Sequence, residues 1–139
     1  PLSSMSPTIV LQEQVVNGVL TPAVRAVVGA SGGPRIISTV VQVLIRLLLR
    51  GSGALAAVNM PRVHHQFIPN VVYAEDWETL DKTVEAIPQY IIDGLRERGH
   101  VVETWAKHGV AQLVVQDLDT GELHAVSDHR KSGVPAGYD

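Results

Sequence analysis

Gly29-Ala30-Ser31-Gly32-Gly33 is the stretch of this chain best suited to chemistry. An apolar run, Val24 to Val28 broken by Arg25, precedes it and reads as a buried strand. Pro34 follows, where the first turn of a helix tolerates a missing N–H. The glycines therefore occupy a strand-to-helix turn, with unbonded backbone N–H groups and the positive end of a helix dipole close by. Two adjacent glycines let the backbone aim those N–H groups at a ligand that approaches closely. Such a turn suits a negative oxygen, whether of a phosphate, a carboxylate or a tetrahedral oxyanion. A phosphate loop is disfavoured, because no Lys followed by Ser or Thr comes after the glycines.

The same residues satisfy the G-x-S-x-G pattern of a nucleophile elbow, in the strand–turn–helix setting that the pattern requires. On that reading Ser31 is an esterase nucleophile, with an acid and His124 or His129 following in the right order. The stretch ahead of Ser31 is short for the strand and oxyanion loop that an esterase fold needs upstream. Ser3 and Ser4 are adjacent hydroxyls in a loop. They can hydrogen-bond a carboxylate or cap local backbone, and residue type alone leaves both open. Of the histidines, His64 and His65 are neighbours and point apart on either a helix or a strand, and no H-E-x-x-H spacing occurs. They read as loop and surface hydrogen-bonders, so neither a metal nor a cofactor is expected. Arg46, Arg50 and Arg62 read as residues that cap or solvate helix ends, and Trp77 and Trp105 as packing residues.

The elements that must position these groups follow from periodicity and punctuation. Thr8 to Leu11 is a strand, and Asn17-Gly18 is a hairpin dipeptide within a longer connection ending near Thr21-Pro22. A strand over Ala23 to Val28 leads into the glycine turn. The helix from Pro34 repeats Ile36, Ile37, Val40, Val41, Leu44, Ile45, Leu47 and Leu48, and ends near Arg50-Gly51. It is the expected centre of the core, each buried side chain contributing about 1.5–3 kcal/mol. A short helix covers Ala54 to Asn59. Arg62 to Phe67 is a loop, Asn70 to Glu75 a strand, and Asp76 to Ile87 charged surface. A helix over Pro88 to Arg98 stops at Gly99, and a strand covers Val101 to Thr104. The strands Ala111 to Gln116 and Leu123 to Ser127 are joined by Asp119-Thr120-Gly121, and Asp128 to Asp139 is loop.

With 139 residues, 45% of them hydrophobic and 18% charged, the chain suits one globular domain. A net charge of −3 with interspersed signs leaves no basic stripe for nucleic acid. There is no cysteine, which excludes disulfides and thiolate metal sites. The apolar run from Val43 to Leu49 is interrupted by Arg46 and is too short for a bilayer, which needs roughly 20 residues. A start on Pro1 without Met suggests a fragment.

Taken together, four blocks resemble the γ-glutamyltransferases, or glutathione hydrolases. Pro1-Leu2-Ser3-Ser4-Met5-Ser6-Pro7-Thr8-Ile9-Val10 resembles their serine-pair signature, and Gly29-Ala30-Ser31-Gly32-Gly33 their oxyanion-hole turn. Pro61-Arg62-Val63-His64-His65-Gln66 is similar to their Pro-Arg-x-His-x-Gln segment. Ser127-Asp128-His129-Arg130-Lys131-Ser132-Gly133 with Ala136-Gly137-Tyr138 is similar to their closing motif, except that His129 stands where the family usually has Pro. The blocks occur in family order and span nearly the whole chain.

The resemblance implies an α+β, N-terminal-nucleophile hydrolase-like αββα sandwich, present in part, with residues 1–139 as the C-terminal portion of the small subunit. It implies a precursor that cuts itself, giving a large subunit and a small one whose N-terminal Thr attacks the γ-glutamyl amide of glutathione. The acyl-enzyme is resolved by water or by an acceptor amino acid or dipeptide. Gly32 and Gly33 would form the oxyanion hole, and Ser3 and Ser4 would bind the α-carboxylate of the γ-glutamyl group. Ser31 is then a turn residue. The family's nucleophile and its neighbours fall ahead of Pro1, so the chain alone is expected to be inactive and to expose apolar sheet faces and edges. By family analogy the protein is extracellular, membrane-anchored, periplasmic or vacuolar. A non-catalytic relic that kept these loops is the alternative from another functional class.

Overall fold

Asn17 and Gly18 both adopt positive φ, 53° and 80°, the geometry of a tight two-residue hairpin. They join β1 (Thr8–Val16) to β2 (Val19–Ser31), which pair antiparallel from Val16–Val19 to Thr8–Val28. The hairpin is thus longer than the expected strands, and the connection expected to reach Thr21-Pro22 is strand instead. Pro22 is tolerated because β7 (Val110–Gln116) pairs with β2 only from Ala26 to Ser31, so that among the described residues no strand pairs with the second edge of β2 around Pro22. The computed structural model describes residues 3–79, 82–106 and 109–137; Pro1, Leu2 and Tyr138 of the quoted motifs lie outside them.

The first sheet has the order β1-β2-β7-β8, with β8 spanning Leu123–Ser127, and all its pairs are antiparallel. Alternation fixes its inner face. Ala26 and Val28 of β2, and Ala111, Leu113 and Val115 of β7, are buried, while Val27 and Val114 face outward. Helix α1 (Arg35–Leu44) lays Ile36, Val40 and Val43 on that face, and α2 (Ala54–Asn59) adds Ala57 and Val58. A π-helical turn, Ile45–Leu49, follows α1 and ends at Gly51 with φ 65°.

The second sheet is built on β4 (Val72–Glu78). It pairs antiparallel with β3 (Val63–His64) and β5 (Val84–Ala86), and parallel with β6 (Val102–Trp105). Helix α3 (Gln89–Glu97) connects β5 to β6. Two expectations are corrected here. Arg62 to Phe67 is not all loop, and Asp76 to Ile87 is not all surface, because Trp77 is buried and β4 and β5 pair across it. Among the described residues no helix is long and apolar enough to cross a membrane.

Candidate functional site

The glycine turn leaves β2 after Ser31, where the chain must reverse into α1. Gly32 has φ 141° and Gly33 φ 60°, values that L side chains rarely adopt. Their carbonyls are engaged: Arg35 N–H donates to Gly32 O at 3.3 Å and Ile36 N–H to Gly33 O at 3.1 Å. Among the described residues neither glycine N–H finds a backbone acceptor outside the sheet ladders. Both glycines are exposed, at the N-terminal end of a helix with no side-chain cap and no acidic residue in its first turn. The arrangement is a pair of donors beside a positive dipole end, suited to an oxyanion.

Gly32 also has no room for a side chain. A Cβ there would lie 2.7 Å from Gly109 Cα, and a Cβ on Gly109 would lie 2.7 Å from the Ser31 carbonyl oxygen and 2.9 Å from Thr39 Oγ1. Two backbones therefore meet glycine against glycine, the turn on one side and the residue leading into β7 on the other. Gly109 is itself held from behind, because its carbonyl accepts a 2.7 Å hydrogen bond from Arg62 Nη1.

Arg62 begins a buried charge cluster. Its Nη2 reaches Asp128 Oδ2 at 2.8 Å and donates to the Val58 carbonyl. Asp128 Oδ2 also accepts from Ala111 N–H at 2.8 Å, and Oδ1 from Arg130 Nη1 at 2.9 Å. Arg130 then grips Glu75, Nε to Oε1 at 2.8 Å and Nη2 to Oε2 at 2.5 Å, while Glu75 Oε2 accepts from Arg62 N–H at 2.8 Å. The side chains of Arg62, Glu75, Asp128 and Arg130 are all fully buried, and their charges cancel. Arg130 donates in addition to the carbonyls of Val58, Asn59 and Met60, and Arg46 to those of Ala57, Met60 and Pro61. These guanidinium groups serve the carbonyls that the short α2 leaves unpaired at its C-terminus.

Electrostatics follow from burial and pairing. Burial opposes ionisation of Asp128, but Arg62, Arg130 and the Ala111 N–H outweigh it and hold the carboxyl below its ordinary value. Burial lowers the Arg62 value, with Arg130 adding to it and Asp128 opposing. For Arg130 burial is overcome by Glu75 and Asp128, and the value rises. Arg46 is pushed down to about 10 by burial and by the neighbouring Arg62 and Arg130.

Ser3 and Ser4 precede β1, and Ser4 lies as many positions before Thr8 as Gly32 lies after Val28, the residue paired with Thr8. The serine pair and the glycine pair thus leave the same end of the sheet on adjacent strands. Ser3 Oγ accepts a 3.1 Å bond from Met5 N–H, and the Ser4 carbonyl accepts from Ser6 Oγ at 3.0 Å, so local capping occurs. Ser3 is exposed and Ser4 half-buried.

Ser31 gains no such company. It ends β2 opposite Val110, whereas His124 faces Val115 further along β7 and pairs with Glu122 at 3.9 Å. His129 donates its N–H to Asn59 Oδ1. Among the described residues no hydrogen bond joins Ser31 to a histidine, which disfavours the elbow. His64 is buried on β3, its Nδ1 2.8 Å from Ser38 Oγ on α1 and its Nε2 3.0 Å from Gln66 Oε1. Among the described residues no group of three or more His, Cys, Asp or Glu side chains could hold a metal. Arg46 meets carbonyls at the end of α2, as expected of a capping residue. Arg62 also meets the end of α2, donating to the Val58 carbonyl, but does so from within the core and is paired there with Asp128. Sequence reasoning assigned no role to Glu75, Asp128, Arg130 or Gly109. The first three are charged residues in or beside strands, and their pairing crosses segments far apart in the chain. Trp105 is part exposed, its ring 3.8 Å beneath the Arg35 guanidinium.

The sequence profile described as "Gamma-glutamyltranspeptidase" matches residues 1–138. "Glutathione hydrolase 2" of Arabidopsis thaliana is 38% identical over 143 residues, which cover 99% of this chain and 23% of that protein. The "Glutathione hydrolase proenzyme" of Escherichia coli is 34% identical, over 99% of this chain and 21% of its own length. Among solved structures, the Helicobacter pylori gamma-glutamyltranspeptidase T380A mutant superposes with a TM-score of 0.75 at 32% identity, covering 94% of this chain and 63% of that one. The chain therefore spans less than a quarter of the length of these two curated relatives. Its folding pattern is that of the N-terminal-nucleophile hydrolases to which its structural neighbours belong. With a family match that runs over nearly its full length, the chain belongs to the gamma-glutamyltranspeptidase family.

Proposed function

We propose that this chain is the C-terminal portion of the small subunit of a γ-glutamyltransferase that cleaves the γ-glutamyl amide of glutathione. The observation that supports this reading is that the two exposed glycines and the two serines leave the same end of one sheet on adjacent strands. In the reaction, the attacking hydroxyl adds to the γ-carbonyl carbon and the carbonyl oxygen becomes an alkoxide. Gly32 and Gly33 donate to that oxygen, and collapse breaks the C–N bond, the amine of the remaining dipeptide leaving with the proton given up by the attacking hydroxyl. Ser3 and Ser4 bind the α-carboxylate at the far end of the γ-glutamyl group, which fixes the carbonyl over the nucleophile. Water or an acceptor amino acid or dipeptide then releases the acyl group. The nucleophile is the N-terminal Thr of the same subunit, and the large subunit completes the site.

Replacing Ser3 and Ser4 together by Ala in the intact protein tests the substrate assignment. Two hydrogen bonds to a charged group are lost, so KM for glutathione should rise at least ~10-fold. Steady-state kinetics with glutathione measures it, and an unchanged KM overturns the assignment. An intact protein that carries both pairs yet never turns over γ-glutamyl compounds would point instead to a non-catalytic relic.

A further inference from the structure

We infer that Gly109, pinned by Arg62 and Asp128, is the backstop that sets the position of the Gly32 turn, and that Arg62 and Asp128 are positioning residues for the oxyanion donors. The inference rests on reading Gly32 and Gly33 as those donors. Three contacts in series make the argument. A Cβ on Gly32 would sit 2.7 Å from Gly109 Cα, so the turn has no slack toward that residue. Gly109 in turn has no slack toward Ser31, whose carbonyl oxygen would lie 2.7 Å from a Cβ placed there. The backbone of this segment is then clamped on both sides of residue 110. Arg62 Nη1 holds the Gly109 carbonyl at 2.7 Å, and Asp128 Oδ2 holds the Ala111 N–H at 2.8 Å, while Arg62 Nη2 and Asp128 Oδ2 bind each other at 2.8 Å.

One ion pair thus fixes the two peptide groups that flank Val110, the residue paired with Ser31. A displaced clamp moves Gly109, and a displaced Gly109 moves Gly32. The donors contribute only if aimed at the place where the alkoxide forms, and a misplacement of about 1 Å can cost ~100-fold in rate. The clamp needs Arg specifically. Its fork serves the Gly109 carbonyl and the Asp128 carboxylate at once, which a single ammonium on a flexible stem does not.

The test uses the intact protein, with rates normalised to titrated acyl-enzyme sites so that loss of folded protein does not count as loss of rate. Gly109→Ala is the steric variant, since a methyl group there would lie 2.7 Å from the Ser31 carbonyl oxygen and 2.9 Å from Thr39 Oγ1. Its kcat on a chromogenic γ-glutamyl anilide should fall at least ~10-fold with KM within ~2-fold, because the donors act on the transition state and Ser3 and Ser4 are untouched. A normal kcat, or a change in KM alone, overturns the inference. Should Gly109→Ala fail to fold, Arg62→Lys carries the same expectation and the same overturning result. Gly32→Ala separates the two readings. If it keeps full kcat, the oxyanion assignment itself fails; if it loses kcat while Gly109→Ala and Arg62→Lys do not, only the positioning role fails.

Discussion

Asp128 ties two segments of backbone to two guanidinium groups, and its ionisation sets an acid limit on the fold. The folded state holds its pKa below the ordinary aspartate value of 3.8, so folding disfavours its protonation. The resulting stabilisation is complete above that value and is lost as pH falls through the folded one. Asp128→Asn in the intact protein should therefore flatten the acid limb of the stability–pH curve. It should also cost about 3–5 kcal/mol near neutrality, because Arg62 is left buried without its counter-charge. Denaturant unfolding at about pH 7 and about pH 3 measures both effects, and a variant with an unchanged acid limb would contradict the assignment.

Among the elements, β7 and β8 show what periodicity can and cannot reveal. Val110–Gln116 buries Ala111, Leu113 and Val115 alternately, and both strands formed within one residue of their expected bounds. Leu113→Ala should destabilise the protein by ~2–5 kcal/mol, whereas Leu123→Ala should change stability by less than ~0.5 kcal/mol if that face is solvated. Leu113 is 1% exposed and Leu123 65%, and chemical denaturation of the two variants checks the contrast. The helices α1, α2 and α3 were equally legible, because capping glycines and prolines bracket their apolar repeats. Less legible was anything that depended on partners distant in the chain. Pro22 reads as a break, yet it sits in a strand whose second edge pairs with no strand there among the described residues. Arg62 looks like a helix-end residue because nothing near it announces Asp128. For the candidate site, the residue types of Gly32, Gly33, Ser3 and Ser4 were readable, but the Gly32–Gly109 contact was not. It arises from the packing of β7 beside β2, which no local pattern encodes.

Seen whole, the molecule leaves much apolar surface uncovered. The β1–β2 hairpin exposes Ile9, Leu11, Val15 and Leu20, and α1 with its π-helical turn exposes Ile37, Val41, Leu48 and Leu49. A helix with apolar residues on both its inner and outer sides belongs to a larger packed structure. Produced by itself, the chain should show no turnover of glutathione and should bind an apolar dye or self-associate. Dye fluorescence and light scattering decide the matter, and a monomeric, dye-silent chain would contradict the expectation.

The buried ion pair also has a consequence for the order of events during synthesis. Arg62 leaves the ribosome well before Asp128, the carboxylate that compensates it, so β3 and the end of α2 cannot close over the guanidinium at little cost until the later segment arrives. The Gly32 turn, made before either of them, should reach its final position only once Asp128 has emerged. Nascent chains arrested before Asp128 should accordingly lack the finished turn, and any chemistry that depends on it is withheld until the strands of both sheets have been made.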